Sequence, residues 1–232
     1  MKKWFLILGT FALMLNFAFA GYYIEQKVTT SQRGQTRESL QKTWIEGPYT
    51  RVDTGKAIII VDFKNQKAIL ADTSKKTYFE MNFQQMNQMM NMAFQMMKQM
   101  GMDITPKVEV TNQTKVINGH KCVMVNISMG NLQKTEECFT KDIKLDFSAY
   151  MKAVEILFPK DLAEAMKAHS ANLAKLGYPI YAKTVTSVMG QSSTTETILV
   201  SYKEMKIPAG IFAPPEGFKK TEAPQMRMPQ GR

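Results

Sequence analysis

Hydrophobic and polar residues alternate along this chain with two different periods. In the first third, short runs rich in β-branched and aromatic residues (YYIEQKVTT, RESLQKTWIEG, YTRVD, AIIIVD, KAILAD and KTYFEM) are separated by polar turns such as DFKNQK and DTSKK. Runs of this kind, bounded by turn residues, predict a meander of antiparallel hairpins. KVEVTNQTKVI, an Asn118-Gly119 turn and HKCVMVNIS continue the pattern. In HKCVMVNIS, Val123, Val125 and Ile127 fall on one side and Met124, Asn126 and Ser128 on the other. LQKTEECFT follows Gly130 and Asn131, so the two segments predict a further hairpin.

Beyond that hairpin the period lengthens. DFSAYMKAVEILF reads as helical and is broken by Pro159. PKDLAEAMKAHSANLAKLG then carries Leu162, Met166, His169, Leu173 and Leu176 on one helical stripe that Gly177 ends. PIYAKTVTSVM and TTETILVSYKE are predicted as two closing strands. The segment from Pro214 is basic and contains Pro and Gly, which predicts a disordered tail over 214–232.

A third helix is predicted where methionine is most concentrated, in MNQMMNMAFQMMKQM from Met86 to Met100. At about 100° per residue, Met86, Met89, Met90, Met96, Met97 and Met100 share an arc of about 160° with Phe83, Ala93 and Phe94. Asn87, Gln88, Asn91, Gln95, Lys98 and Gln99 occupy the other side, and only Met92 departs. An unbranched thioether repacks around different shapes, which suits a helix that covers a sheet or lines a site for variable apolar ligands. Phe83, Met86, Met89, Met90, Phe94, Met97 and Met100 are therefore the candidate ligand-lining residues. A soft-metal site is the competing use of the same sulfurs. Met90 and Met92 point about 200° apart on a helix and cannot share one ion, whereas chelation by Met86, Met90 and a neighbour stays geometrically open. No residue is assigned as a metal ligand and no cofactor is expected.

Residues 1–20, MKKWFLILGTFALMLNFAFA, pair Lys2 and Lys3 with an apolar run that ends in Ala18-Phe19-Ala20. That pattern predicts a secretory signal peptide cleaved after Ala20. Asn16 interrupts the run, which argues against a retained anchor. Gly21 follows, so the cysteine that lipid attachment would need is missing there. The expectation is a periplasmic chain with one globular domain over 21–213. Losing Lys2 and Lys3 with the leader lowers the formal net charge from +10 to +8. In an exported chain, that charge points to an anionic membrane surface, to anionic ligands or to solubility, not to nucleic acid.

In an oxidising compartment the two cysteines, Cys122 and Cys138, predict a structural disulfide. If the hairpin turn is centred on Gly130, they stand directly opposite each other. There is no Cys-x-x-Cys to suggest redox work.

Catalytic motifs are missing: no Gly-x-Ser-x-Gly, HExxH, P-loop or GxGxxG occurs. The two histidines suit structural roles, His120 after a tight turn and His169 on an apolar helical stripe. The acidic residues are scattered through strands, where alternation predicts a solvated face. Asn112-Gln113-Thr114 and Asn126-Ile127-Ser128 match the glycosylation acceptor pattern and, behind a bacterial leader, are read as chance.

The pieces GPYTRVD, AIIIVD, KAILAD, KTYFEM, INGHKC, ECFTKD, GYPI and IPAGIFAPPEGF occur in that order. Together they resemble a domain of unknown function common in exported bacterial proteins and similar to the lipoprotein-carrier half-barrels of the Lol type. The resemblance covers nearly all of the mature chain, and INGHKC and IPAGIFAPPEGF are its most specific parts. It implies a mainly β (α+β) fold: a strongly curved, unclosed antiparallel sheet with about three helices across its concave side. It transfers no catalytic residue. In the Lol-type relatives the concavity shelters acyl chains. The expectation is a monomeric, non-catalytic periplasmic binding or carrier protein for a hydrophobic, lipid-like or acylated ligand. The alternatives are a Met-rich copper or silver binding protein and a structural envelope protein without a small ligand.

Overall fold

A computed structural model of the chain describes residues 21–145, 156, 160–188 and 190–223. The first half is a run of six strands: β1 (Gly21–Gln32), β2 (Gln35–Glu46), β3 (Tyr49–Asp53), β4 (Ala57–Asp62), β5 (Lys67–Asp72) and β6 (Thr77–Asn82). Helix α1 (Phe83–Gln99) follows directly. Strands β7 (Pro106–Ile117), β8 (His120–Met129) and β9 (Gln133–Thr140) come next, then helix α2 (Lys160–Ala174), β10 (Tyr178–Val188), β11 (Gln191–Met205) and the two-residue β12 (Lys219–Lys220). All twelve strands belong to one sheet, ordered β12-β6-β5-β4-β3-β2-β1-β11-β10-β9-β8-β7. It is a large, curved and open sheet that does not close into a barrel. Every pairing is antiparallel except β12 against β6.

Local chemistry explains the turns. After β4, the Asp62 carboxylate accepts from the Asn65 backbone and side chain at 2.9 and 2.7 Å, and after β5 the Asp72 carboxylate accepts from the Ser74 and Lys75 backbone at 2.9 and 3.1 Å. Between β7 and β8, Asn118 (φ 50°) and Gly119 (φ 83°) both adopt the left-handed conformation that a two-residue hairpin loop needs. Helix α1 starts at a capping box: the Asn82 side chain accepts from Gln85 N at 2.8 Å and the Gln85 side chain accepts from Asn82 N at 3.1 Å.

Three apolar clusters hold the sheet and its covers. One surrounds the Cys122–Cys138 disulfide and gathers Ile24, Met124, Ile143, Ile180 and Leu199 from both halves of the chain. A second packs Ile58, Ile60, Ile69 and Ala71 of β4 and β5 under Phe212 and Phe218 of the C-terminal segment. The third joins the helices: Phe94 and Leu162 meet at Ile104, with Met90, Met97, Met129 and Met166 around them.

Three expectations change in the folded chain. The disulfide is present, with its Cα atoms 5.3 Å apart, but Cys122 and Cys138 are diagonal neighbours. The register pairs Met124 with Cys138 and Val123 with Phe139, because the turn is centred on Asn131 and closed by Leu132 N donating to Met129 O at 3.0 Å. The cluster around the disulfide covers that side of β8, so its neighbour Met124 is buried too. Two helices are seen among the described residues; of the third expected helix, 146–158, only Ile156 is described, its carbonyl accepting from Asn87 Nδ2 at 3.0 Å. The expected disordered tail does not begin at 214. Phe218 packs into the second cluster, and Lys219 N donates to Lys76 O at 2.9 Å as β12 aligns with β6. Residues 1–20 and 224–232 lie outside the described residues.

Candidate ligand cavity

Helix α2 has an apolar stripe that must be buried, and the face of the sheet beneath it is apolar too. On the sheet side the register places Pro106 opposite Met129 and Val108 opposite Ile127, while Val123 stands opposite Phe139 and Phe139 opposite Pro179. These residues belong to one face because they alternate along their strands and align across them. On the helix side, Leu162, Met166 and Leu173 recur at helical spacing. Leu162 is buried against Phe94 and Ile104, which fixes the N-terminal end of α2 on the third cluster. Along the rest of the stripe the helix and sheet do not fill the space between them. A cavity of about 410 Å³ remains there, lined by Pro106, Val108, Ile127, Met129, Phe139, Pro179 and the helical stripe together with Gln133, Glu137, His169, Ser170 and Ala174. That is within the range of sites for small ligands.

Gly177 closes one end of the cavity, where the chain turns from α2 into β10. Its φ of +98° is in the left-handed region, and a Cβ there would overlap the Thr140 carbonyl oxygen. Gly130, at the β8–β9 turn, is held in the same way against the Asp103 carbonyl. The first brings the loop after α2 against the end of β9, and the second brings the β8–β9 turn against the loop before β7.

Two titratable side chains line the cavity, Glu137 and His169. Burial pushes the Glu137 carboxyl up from 4.5 to about 7, and desolvation alone causes the shift. Among the described residues no ion pair joins Glu137 to His169. Alternation explains how the acid arrives there: Glu136 is exposed, Cys138 is buried in the cluster around the disulfide, and Glu137 between them shares the face of Thr135 and Phe139. The general expectation of a solvated face for strand acids fails at this position. The neighbouring row is polar but satisfied, with Thr135 Oγ1 3.1 Å from Thr184 Oγ1 and accepting from Gln133 Nε2 at 3.2 Å.

None of the seven expected ligand-lining residues lines this cavity. Phe83 is 1% exposed and packs edge-on to Phe63, with ring centroids 6.1 Å apart. Phe94, Met90 and Met97 belong to the cluster that docks α1 against α2. Met86 and Met89 are half-buried, and Met100 is exposed. The helix that lines the cavity is α2, whose stripe is visible in the sequence at Leu162, Met166, His169 and Leu173. A second, shallower depression of about 790 Å³ lies at the far side of the sheet over Ile59, Leu70 and Phe79, rimmed by Lys56, Asp72 and Lys75. Among the described residues no group of three or more His, Cys, Asp and Glu side chains could hold a metal ion, and no helix is long and apolar enough to cross a membrane. His120 is engaged with Asp142, Nδ1 to Oδ2, at 2.8 Å.

An open antiparallel sheet carrying an apolar cavity between one face and a crossing helix defines the structural class. The chain belongs to the family described as a domain of unknown function, DUF4412, whose model matches residues 27–218. None of the curated proteins compared with the chain matches it. Among solved structures, an uncharacterized conserved protein from Thermus thermophilus is similar over 88% of this chain and 91% of its own, with a TM-score of 0.48 and 6% identity. A LolA-superfamily protein from Nitrosomonas europaea is similar over 85% of this chain and 91% of its own, with a TM-score of 0.35 and 8% identity. PNGF-II is similar over 88% of this chain, with a TM-score of 0.42 and 13% identity, and this chain spans 31% of its length.

Proposed function

We propose that this protein is a periplasmic binding or carrier protein that takes a hydrophobic, lipid-like or acylated ligand without catalysis. The observation that carries the reading is the cavity of about 410 Å³ between α2 and strands β7–β10, walled by Val108, Ile127, Phe139, Leu162, Met166 and Leu173. The apolar part of the lining is a cost to the fold, because it lacks the packing partners of a filled core. An alkyl chain recovers those contacts and removes about 25 cal/mol per Å² of its own apolar surface from water. The leader pattern of residues 1–20 supports export across the inner membrane, and the basic charge suits transient contact with anionic lipid surfaces. In this role the protein acts as a monomer, with α2 as one wall of the site.

The test is uptake of an uncharged, environment-sensitive alkyl fluorophore by the mature chain. Saturable binding is expected, and the variants Val108→Trp and Leu173→Trp, which narrow the cavity from its sheet and helix sides, should each weaken it while circular dichroism stays native. Binding left unchanged by both substitutions would reject the site, and no binding by the wild type would reject the function.

A further inference from the structure

Glu137 is a costly residue in this position. An ionised carboxylate only accepts hydrogen bonds, and half-buried among largely apolar walls it has few protein donors to hold its charge. Among the described residues it has no hydrogen bond and no ion pair. The elements packed around it offer little that could compensate. Strand β8 sets Val125 opposite it and β10 sets Ala182 opposite it. Strand β7 contributes Pro106 and Val108 to the cavity, and α2 contributes His169 as its one titratable group. Glu136 and Lys183, the nearest charges on neighbouring positions, pair with each other across β9 and β10 one residue away, on the opposite face. The wall therefore supplies a single acidic acceptor without a fixed cation.

Resting on the hydrophobic-ligand reading above, we propose that Glu137 is the polar anchor of the cavity and that the ligand is a single-chain amphiphile with a protonated amine head. An ammonium group brings three donors and the opposite charge, and its alkyl chain fits walls that offer little else but hydrocarbon. A carboxylate head would meet a like charge in the same enclosure, and an uncharged alcohol head would leave the anion without a counter-charge. Ser170 and Gln133 provide neutral polar contacts at the lining for the donors that Glu137 cannot accept. An ammonium head favours the ionised form of Glu137, so uptake of the amine near neutral pH releases part of a proton.

The test displaces the uncharged alkyl fluorophore from the mature chain with dodecylamine, dodecanol and dodecanoate at about pH 8.5 and about pH 5.5. At the higher pH, dodecylamine should displace the probe at about one tenth the concentration of dodecanol, as a charge-assisted hydrogen bond warrants. That advantage should vanish at the lower pH. It should vanish at both in Glu137→Gln and persist at the higher pH in His169→Gln. Dodecanoate matching dodecylamine at the higher pH, or an amine advantage unchanged in Glu137→Gln, overturns the anchor while fluorophore binding leaves the hydrophobic site standing. If the fluorophore itself does not bind, the underlying reading falls and the anchor with it.

Discussion

Replacing Glu137 by glutamine should change how stability depends on pH in a way no surface acid can imitate. In the folded chain, burial raises this carboxyl from 4.5 to about 7, and unfolding returns it to water. The sign follows from proton counting. Between those two values the native state holds more protons than the unfolded one, so stability falls as pH rises through the window. The neutral acid is tolerated below about 4.5, and the full penalty is present above about 7. Each tenfold change in proton affinity is worth about 1.4 kcal/mol, so the ionised side chain costs the native state about 3 kcal/mol in alkaline solution. Glutamine has nearly the same shape and remains neutral. Urea unfolding of wild type and Glu137→Gln, compared pair by pair, cancels every other titrating group. The variant should match the wild type within about 1 kcal/mol at about pH 5 and exceed it by about 2 to 3 kcal/mol at about pH 8.5. A difference that does not move with pH would refute the burial argument.

Three further outcomes follow from separate parts of the structure. The Cys122–Cys138 cross-link closes a sequence separation of 16 and should contribute about 3 kcal/mol; the unreduced, unfolded protein should show no reactive thiols, and two per chain would contradict it. Gly177→Ala should cost more than about 2 kcal/mol or prevent folding, because a Cβ meets the Thr140 backbone at a positive φ and neither side can yield cheaply; a thermal midpoint equal to wild type would refute this. Leucine at Met86, Met89, Met90, Met97 and Met100 together should leave the fold intact at about 1 to 3 kcal/mol and leave fluorophore uptake unchanged, since none of these residues lines the cavity. Tight Cu(I) binding by the wild type that these substitutions abolish would instead favour the soft-metal alternative.

The parts of the fold that local chemistry controls were legible in the chain. Alternation and turn residues located the hairpins from Tyr22 to Asn82, and the stripe at Leu162, Met166, His169 and Leu173 identified the helix that lines the cavity. What local pattern could not supply was pairing between distant segments. Nothing near Gly21 indicates that β1 will pair with β11, yet that contact joins the two halves of the sheet. The hairpin register turned on one residue, Asn131 in place of Gly130 as the centre, and only the hydrogen bond from Leu132 N to Met129 O decides it. Composition drew attention to the methionines of α1, while their packing against α2 makes them a support for the cavity wall. The signal for Glu137 was present in the alternation of TEECF, where it falls in line with Thr135 and Phe139, but an acid there looks solvated until the helix above it is known.

The most direct test of the central claim is photo-crosslinking of the mature chain with an alkyl diazirine, followed by peptide mapping. Saturable labelling is expected at α2 residues between Leu162 and Leu173 and on the facing strands at Val108, Ile127 and Phe139, competed by unlabelled alkyl compound. Saturable labelling confined to α1, or to the depression over Ile59, Leu70 and Phe79, would contradict it.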